Sequence, residues 1–148
     1  MAWVFLAAYT LSGVAGLVYE VSWTRLLSLA MGHGLAASST VLAAFMGGLA
    51  LGAVVAGRVA PRLSSRQALQ AYAGLEGLIA LLALALPFAL GVVTPLFAAA
   101  YHEGAGGATF GLTRLAACLL VLLPPAMALG ATFPLAVRAM AEPFLRSG

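Results

Sequence analysis

Four glutamates are the only acids in this 148-residue chain, and two of them, Glu20 and Glu76, interrupt otherwise apolar runs. A charged side chain at the centre of a bilayer costs at least about 2.5 kcal/mol, so a carboxylate there needs a proton, a basic partner or a bound cation. Glu76 falls about nine residues into a helix expected to begin near Gln67, roughly 14 Å from that helix end and close to the midplane. Its helical neighbours Tyr72, Ala73, Ala80 and Ala83 make a face expected to look inward, with Leu78, Leu81 and Leu82 toward lipid. Such a site can bind a cation or a proton; the competing reading is a hydrogen-bonded structural carboxyl that fixes helix register. Glu20 shares a helical face with Tyr9, Gly13, Gly16 and Thr24. Arg25 lies about 140° around the same wheel and is no partner for Glu20 in a regular helix. Arg114 is a geometrically allowed one, which leaves Glu20 as either half of a structural ion pair or a second cation ligand. Glu76, Glu20 and Tyr72 are therefore the candidate substrate-binding residues.

The remaining reactive side chains are dispersed. His33, His102 and Glu103 belong to separate expected loops, whereas a metal site needs three or four convergent ligands with outer support. No metal or other cofactor is expected. Cys118 sits in an apolar run and reads as packing. No Ser/His/Asp or Cys/His nucleophile arrangement is visible, so no enzyme activity is expected of this chain on its own.

The elements that must position these groups follow from composition. Hydrophobic residues make up 64% of the chain and charged ones 7%, against about 25% charged in ordinary globular domains. That excludes intrinsic disorder, a disulfide scaffold and a nucleic-acid module. The expected fold is all-α and polytopic: a single helical membrane domain over 1–148, with four transmembrane helices and one short interfacial helix. The spans are placed at about 3–31, 35–57, 67–86 and 112–140, each long enough for the roughly 20 residues that a 30 Å hydrocarbon core requires. Gly32-His33-Gly34 breaks the first long run, and Pro87 is expected to end the third helix. Thr94-Pro95 resembles a cap followed by a first-turn proline, which places the interfacial helix at about 95–101. His102–Gly111 is read as a loop. Trp3 and Trp23 read as anchors at the membrane interfaces.

With four spans, Arg58, Arg62, Arg66, Arg138 and Arg146 fall on one side and Arg25 and Arg114 on the other. That bias predicts cytoplasmic termini for a multi-pass protein of the cell inner (plasma) membrane. Arg58, Arg62 and Arg66 are expected to hold the loop after the second helix at anionic headgroups. Gly48, Gly52 and Ala56, four residues apart, form a ridge that lets a neighbouring backbone approach closely, within the chain in preference to a homo-oligomer seam.

Four stretches taken together resemble a known family. They are Leu11-Ser12-Gly13 through Ala15-Gly16-Leu17-Val18-Tyr19-Glu20-Val21 with Trp23-Thr24-Arg25-Leu26-Leu27, Ser39 through Gly52, Tyr72 through Gly77, and Leu123-Pro124-Pro125 through Gly130-Ala131-Thr132-Phe133-Pro134-Leu135. In order and over nearly the whole chain, they look like the N-terminal membrane region of the fused major facilitator superfamily/spermidine synthase-like proteins, which carry a soluble aminopropyltransferase-like domain after the membrane helices. The resemblance implies a transporter-like domain handling a small cationic, polyamine-like solute, or else a membrane anchor for a spermidine synthase-like soluble domain or partner. One position departs from the family pattern: Gly57-Arg58-Val59-Ala60-Pro61-Arg62 has Pro61 where the transporter loop signature has an acid, so no role of that acid is carried over. No synthase-like segment follows within the 148 residues, and the chain is expected to correspond to the first membrane section alone.

Overall fold

The computed structural model describes residues 2–30, 35–102 and 108–145. Four long helices account for nearly all of them: α1 (Ala2–Ala30), α2 (Leu35–Val59), α3 (Ser65–His102) and α4 (Ala108–Leu145), with one 3-10 turn, Ala60–Arg62, between α2 and α3. Each long helix contains a stretch apolar and long enough to cross a membrane: Trp3–Leu27, Ser38–Arg62, Ser65–Ala89 and Leu115–Ala141. The all-α, four-span architecture expected from the sequence is the one observed. The Gly32-His33-Gly34 break lies outside the described residues, between the end of α1 and the start of α2.

The segment at 95–101 differs from expectation. It is no separate helix but the C-terminal part of α3, which runs 38 residues through Pro87 and Pro95. At 1.5 Å per residue α3 is about 57 Å long, well beyond a hydrocarbon core of about 30 Å. Residues 90–102 therefore continue the helix beyond the membrane-length stretch Ser65–Ala89. A proline removes one backbone hydrogen bond, but ending a helix in hydrocarbon would strand several polar groups, so continuing costs less. α4 likewise passes through Pro124, Pro125 and Pro134 and begins at Ala108, four residues before the expected start at Leu112.

α3 begins at Ser65 because Ser64 caps it. The Gln67 backbone N–H donates to Ser64 Oγ at 3.3 Å, and the Ser64 backbone N–H donates to Gln67 Oε1 at 2.9 Å. This reciprocal pair satisfies two of the donors that every helix start leaves open. Arg138 of α4 ties down the same corner: its Nε donates to the Leu63 carbonyl oxygen at 2.8 Å.

α4 is the hub of the bundle. α2 and α3 both pack along it extensively, and α1 touches the other three more sparingly. Lipid tails are as apolar as leucine, so this packing rests on close fit rather than on exclusion of water. Gly52 and Gly130 supply that fit. A Cβ on Gly52 would lie 2.0 Å from the Met127 carbonyl oxygen, and one on Gly130 would lie 2.0 Å from that of Leu49. Gly48 is similarly pressed, its notional Cβ 2.5 Å from Ala126 Cβ. The ridge of Gly48, Gly52 and Ala56 thus meets α4 of the same chain, with all three residues buried.

Two buried clusters hold the ends. Ala56, Ala68, Tyr72, Leu135 and Ala139 fill the end near the 3-10 turn. Trp23, Leu27, Val41, Phe45, Leu86 and Leu122 fill the other. Trp23 is therefore no interface anchor. It is 3% exposed, stacked on Tyr19 at 5.6 Å and set edge-on to Phe45 at 6.3 Å. Trp3 is 83% exposed, on the outside of α1.

Candidate functional site: Glu76, Ser12 and the cavity lined by Glu20

Glu76 lies on the face of α3 that meets α1. The Ser12 hydroxyl donates to Glu76 Oε1 at 2.5 Å. The Tyr72 hydroxyl, one turn earlier on α3, lies near both the Glu76 carboxylate and the Ser12 hydroxyl. Tyr72 is buried, with its ring against Phe5 at 5.5 Å and Tyr9 at 6.2 Å between centroids. An aromatic wall thus closes this side of Glu76 toward the end of the bundle, while Ser12 separates it from the space on the far side of α1.

That space is a cavity of about 340 Å³ between α1, α2 and α4. Its polar lining comes from Tyr9, Ser12, Glu20 and Thr132, and its apolar lining includes Phe45, Leu49 and Phe133. Gly13 and Gly16 make the α1 wall thin, and Gly130 does the same for α4. Thr132 turns its hydroxyl back to the Leu129 carbonyl oxygen at 2.6 Å, an i−3 bond that leaves the hydroxyl oxygen available as an acceptor. A volume just above 300 Å³ with few polar groups in an apolar frame is within the range of small-molecule sites.

Tyr72 and Glu76 are in direct contact, and Glu20 lies along α1 from them, lining the cavity that Ser12 also lines. Ser12 and Glu20 are eight residues apart on one helix, about 12 Å along its axis. Thr24, grouped with Glu20 by the helical wheel, does not line the cavity. The side chain of Arg114, the expected partner of Glu20, lies outside the described residues, as do those of His33, His102 and Glu103. The inward face of α3 is also different from the small-residue face expected. Ala73 and Ala80 are exposed, and Ala68, Tyr72, Ile79 and Leu86 are the buried positions. Large side chains fill that seam because α3 meets α4 there without the glycine contacts that bring α2 close.

Ser12 is the residue that sequence reasoning passed over. One signal was present: it is a hydroxyl three residues from Tyr9 and eight from Glu20 on the same helix. Arg58, Arg62 and Arg66 are exposed at the end of the bundle where α2 turns into α3, and Arg138 reaches the same turn. Among the described residues, no three His, Cys, Asp or Glu side chains come together.

No family model, curated protein or solved structure matches this chain. The four membrane-length helices define the class, a multi-pass membrane protein.

Proposed function

We propose that this chain is a transporter-like membrane domain that binds a small cationic solute between α1 and the α2/α4 pair. The carrying observation is the cavity with Glu20 on its wall and Ser12 between it and Glu76. Two carboxylates offset by about 12 Å along α1 suit an elongated cation with charge at both ends better than a monatomic ion. Phe45, Phe133 and Tyr9 add aromatic surface of the kind that attracts ammonium groups. The residue stretches similar to the membrane region of fused spermidine synthase-like proteins point to the same solute class, a polyamine. Arginine asymmetry supports an inner-membrane location with both termini cytoplasmic. Catalysis is not assigned to this chain; aminopropyl transfer would belong to a soluble domain or partner.

The test is solute-induced thermal stabilisation of the detergent-solubilised protein across diamines, polyamines and alkali cations. Wild type should be stabilised by at least one polyamine, Glu76→Gln should abolish the shift, and Glu20→Gln should reduce it. Equal shifts in wild type and both variants would overturn the assignment.

A second reading has its own observation. Glu76 already accepts a hydrogen bond inside the protein, from Ser12, with the Tyr72 hydroxyl nearby. That favours a non-transporting anchor or scaffold for an aminopropyltransferase-like soluble domain or partner, in which Glu76 fixes α1 against α3. The absence of a shift with every solute would put this reading ahead.

A further inference from the structure

On the side of the bundle to which α1 contributes nothing, α2 and α3 diverge and leave a groove of about 640 Å³ floored by α4. Its lining is apolar throughout, and its depth comes from small residues: Gly52 and Ala56 on α2, Ala71 and Gly74 on α3, Ala128 and Ala131 on α4. The groove begins at Leu63 and Leu135, beside the 3-10 turn, and ends at Leu78 and Pro124. From Leu135 to Pro124 along α4 is about 16 Å, the half-thickness of a hydrocarbon core of about 30 Å. The groove is thus the length of one leaflet, open at the end where that leaflet's headgroups lie.

That end is cationic. Val59 and Leu63 line the mouth, Arg58 precedes the first and Arg62 the second in sequence, and both arginines are exposed. The Arg138 guanidinium, bonded to the Leu63 carbonyl, lies at the same corner. Apolar depth for one leaflet and positive charge at its headgroup level are the two halves of an amphiphile with an anionic head.

We propose that this groove is a binding site for one anionic phospholipid, with an acyl chain seated between α2 and α3 and its phosphate held by Arg58 and Arg62. Guanidinium groups pair with phosphate oxygens in a bidentate manner, and juxtamembrane cations are each worth about fivefold in affinity for anionic lipid. The site is separate from Glu76 and from the cavity lined by Glu20, and does not depend on what that cavity binds.

The experiment is native mass spectrometry of the delipidated protein titrated with phosphatidylglycerol and, separately, with phosphatidylcholine of the same chains. Wild type should retain one phosphatidylglycerol per chain in clear preference to phosphatidylcholine. Arg58→Gln with Arg62→Gln should lose that preference, about fivefold per arginine removed. Gly74→Leu should lower retention of both lipids, because a side chain there fills the groove while its Cβ meets nothing within 4 Å. Gly77→Leu, equally open but outside the groove, should behave as wild type. Three outcomes would each overturn the proposal: equal retention of the two lipids by wild type, undiminished phosphatidylglycerol on Gly74→Leu, or a wild-type dimer that Gly74→Leu converts to monomer, which would make a second copy the occupant. Displacement of the lipid by inorganic phosphate alone would also overturn it, since the chain would then contribute nothing.

Discussion

The Ser12 hydroxyl and the Glu76 carboxylate, 64 residues apart in sequence, are joined by a 2.5 Å hydrogen bond that ties α1 to α3. α1 is the sparsely packed helix of the bundle, with Leu11, Val14, Val18 and Val21 all exposed on its outer side. A polar tie therefore carries more of its docking than it would in a tightly packed helix. In hydrocarbon, interhelical hydrogen bonds of this type contribute about 0.6 kcal/mol on average and about 1.7 at most.

The pair is separable by a double-mutant cycle on Ser12→Ala and Glu76→Gln. If the two groups act on each other, the double variant should be less destabilised than the sum of the single ones, with a coupling of about 0.5–1.7 kcal/mol. Tyr72→Phe should couple to Glu76→Gln in the same sense, because its hydroxyl lies close to the same carboxylate. Strict additivity in detergent unfolding would mean that the contact does not hold α1 in place.

The α2/α4 seam makes a sharper demand on sequence. At Gly52 and Gly130 even a methyl group would sit 2.0 Å from a carbonyl oxygen of the opposite helix. Backbone is what stands in the way, so no side-chain rotation relieves the clash. Gly52→Ala and Gly130→Ala should each cost about 1–3 kcal/mol or more, the range for overpacking a filled interior. Gly57→Ala, where a Cβ meets nothing within 4 Å, should be neutral or stabilising by up to about 1 kcal/mol through helix propensity. Melting temperatures of the three variants in one detergent would decide it; equal values would refute the close approach.

How much of this was legible in the sequence depends on which physics each feature obeys. The four helices were readable because hydrocarbon leaves the backbone little alternative, and charge-free runs show where hydrocarbon is. The continuation of α3 through Pro87 was not, because the rule that proline ends a helix is calibrated where water can take over the freed groups. Trp23 misled for a related reason. Tryptophan near a helix end favours the interface on average, but here Tyr19 and Phe45 provide a buried stack instead. Glu76 and Glu20 stood out as charges among apolar neighbours, yet the partner of Glu76 did not. A serine hydroxyl that bonds across two helices leaves no periodic trace.

The start of α3 was readable in principle. Ser64 and Gln67 stand three apart before an apolar run, the spacing of a capping box, and both hydrogen bonds form. Ser64→Ala should destabilise the protein by about 1 kcal/mol, whereas Ser64→Asp should retain most of the cap. Arg138→Leu removes a charged donor from the Leu63 carbonyl at the same corner and should cost about 1.5–3 kcal/mol. Unchanged amide exchange through residues 65–68 in Ser64→Ala would show that the cap does not hold this end of α3.

The last prediction concerns orientation. The helices alternate in direction, so the N-terminal end of α1, the turn between α2 and α3 and the C-terminal end of α4 share one side. The contacts of Phe5 with Tyr72 and of Arg138 with Leu63 both require it. That side carries Arg58, Arg62, Arg66 and Arg138, and the other carries Arg25 and Arg114. Arginines within short loops are retained on the cytoplasmic face during insertion. Cysteine introduced at Pro61, in a Cys118→Ala background, should therefore be shielded from a membrane-impermeant maleimide in intact cells. Cysteine at Ala105 should react, and permeabilisation should expose Pro61→Cys as well. Replacing Arg58, Arg62 and Arg66 together by glutamine would leave Arg138 and Arg146 against Arg25 and Arg114, an even balance. A mixed orientation, with both sites partly labelled in intact cells, is the expected result. Labelling of Pro61→Cys from outside in the otherwise native protein would show that the arginine bias does not set the topology.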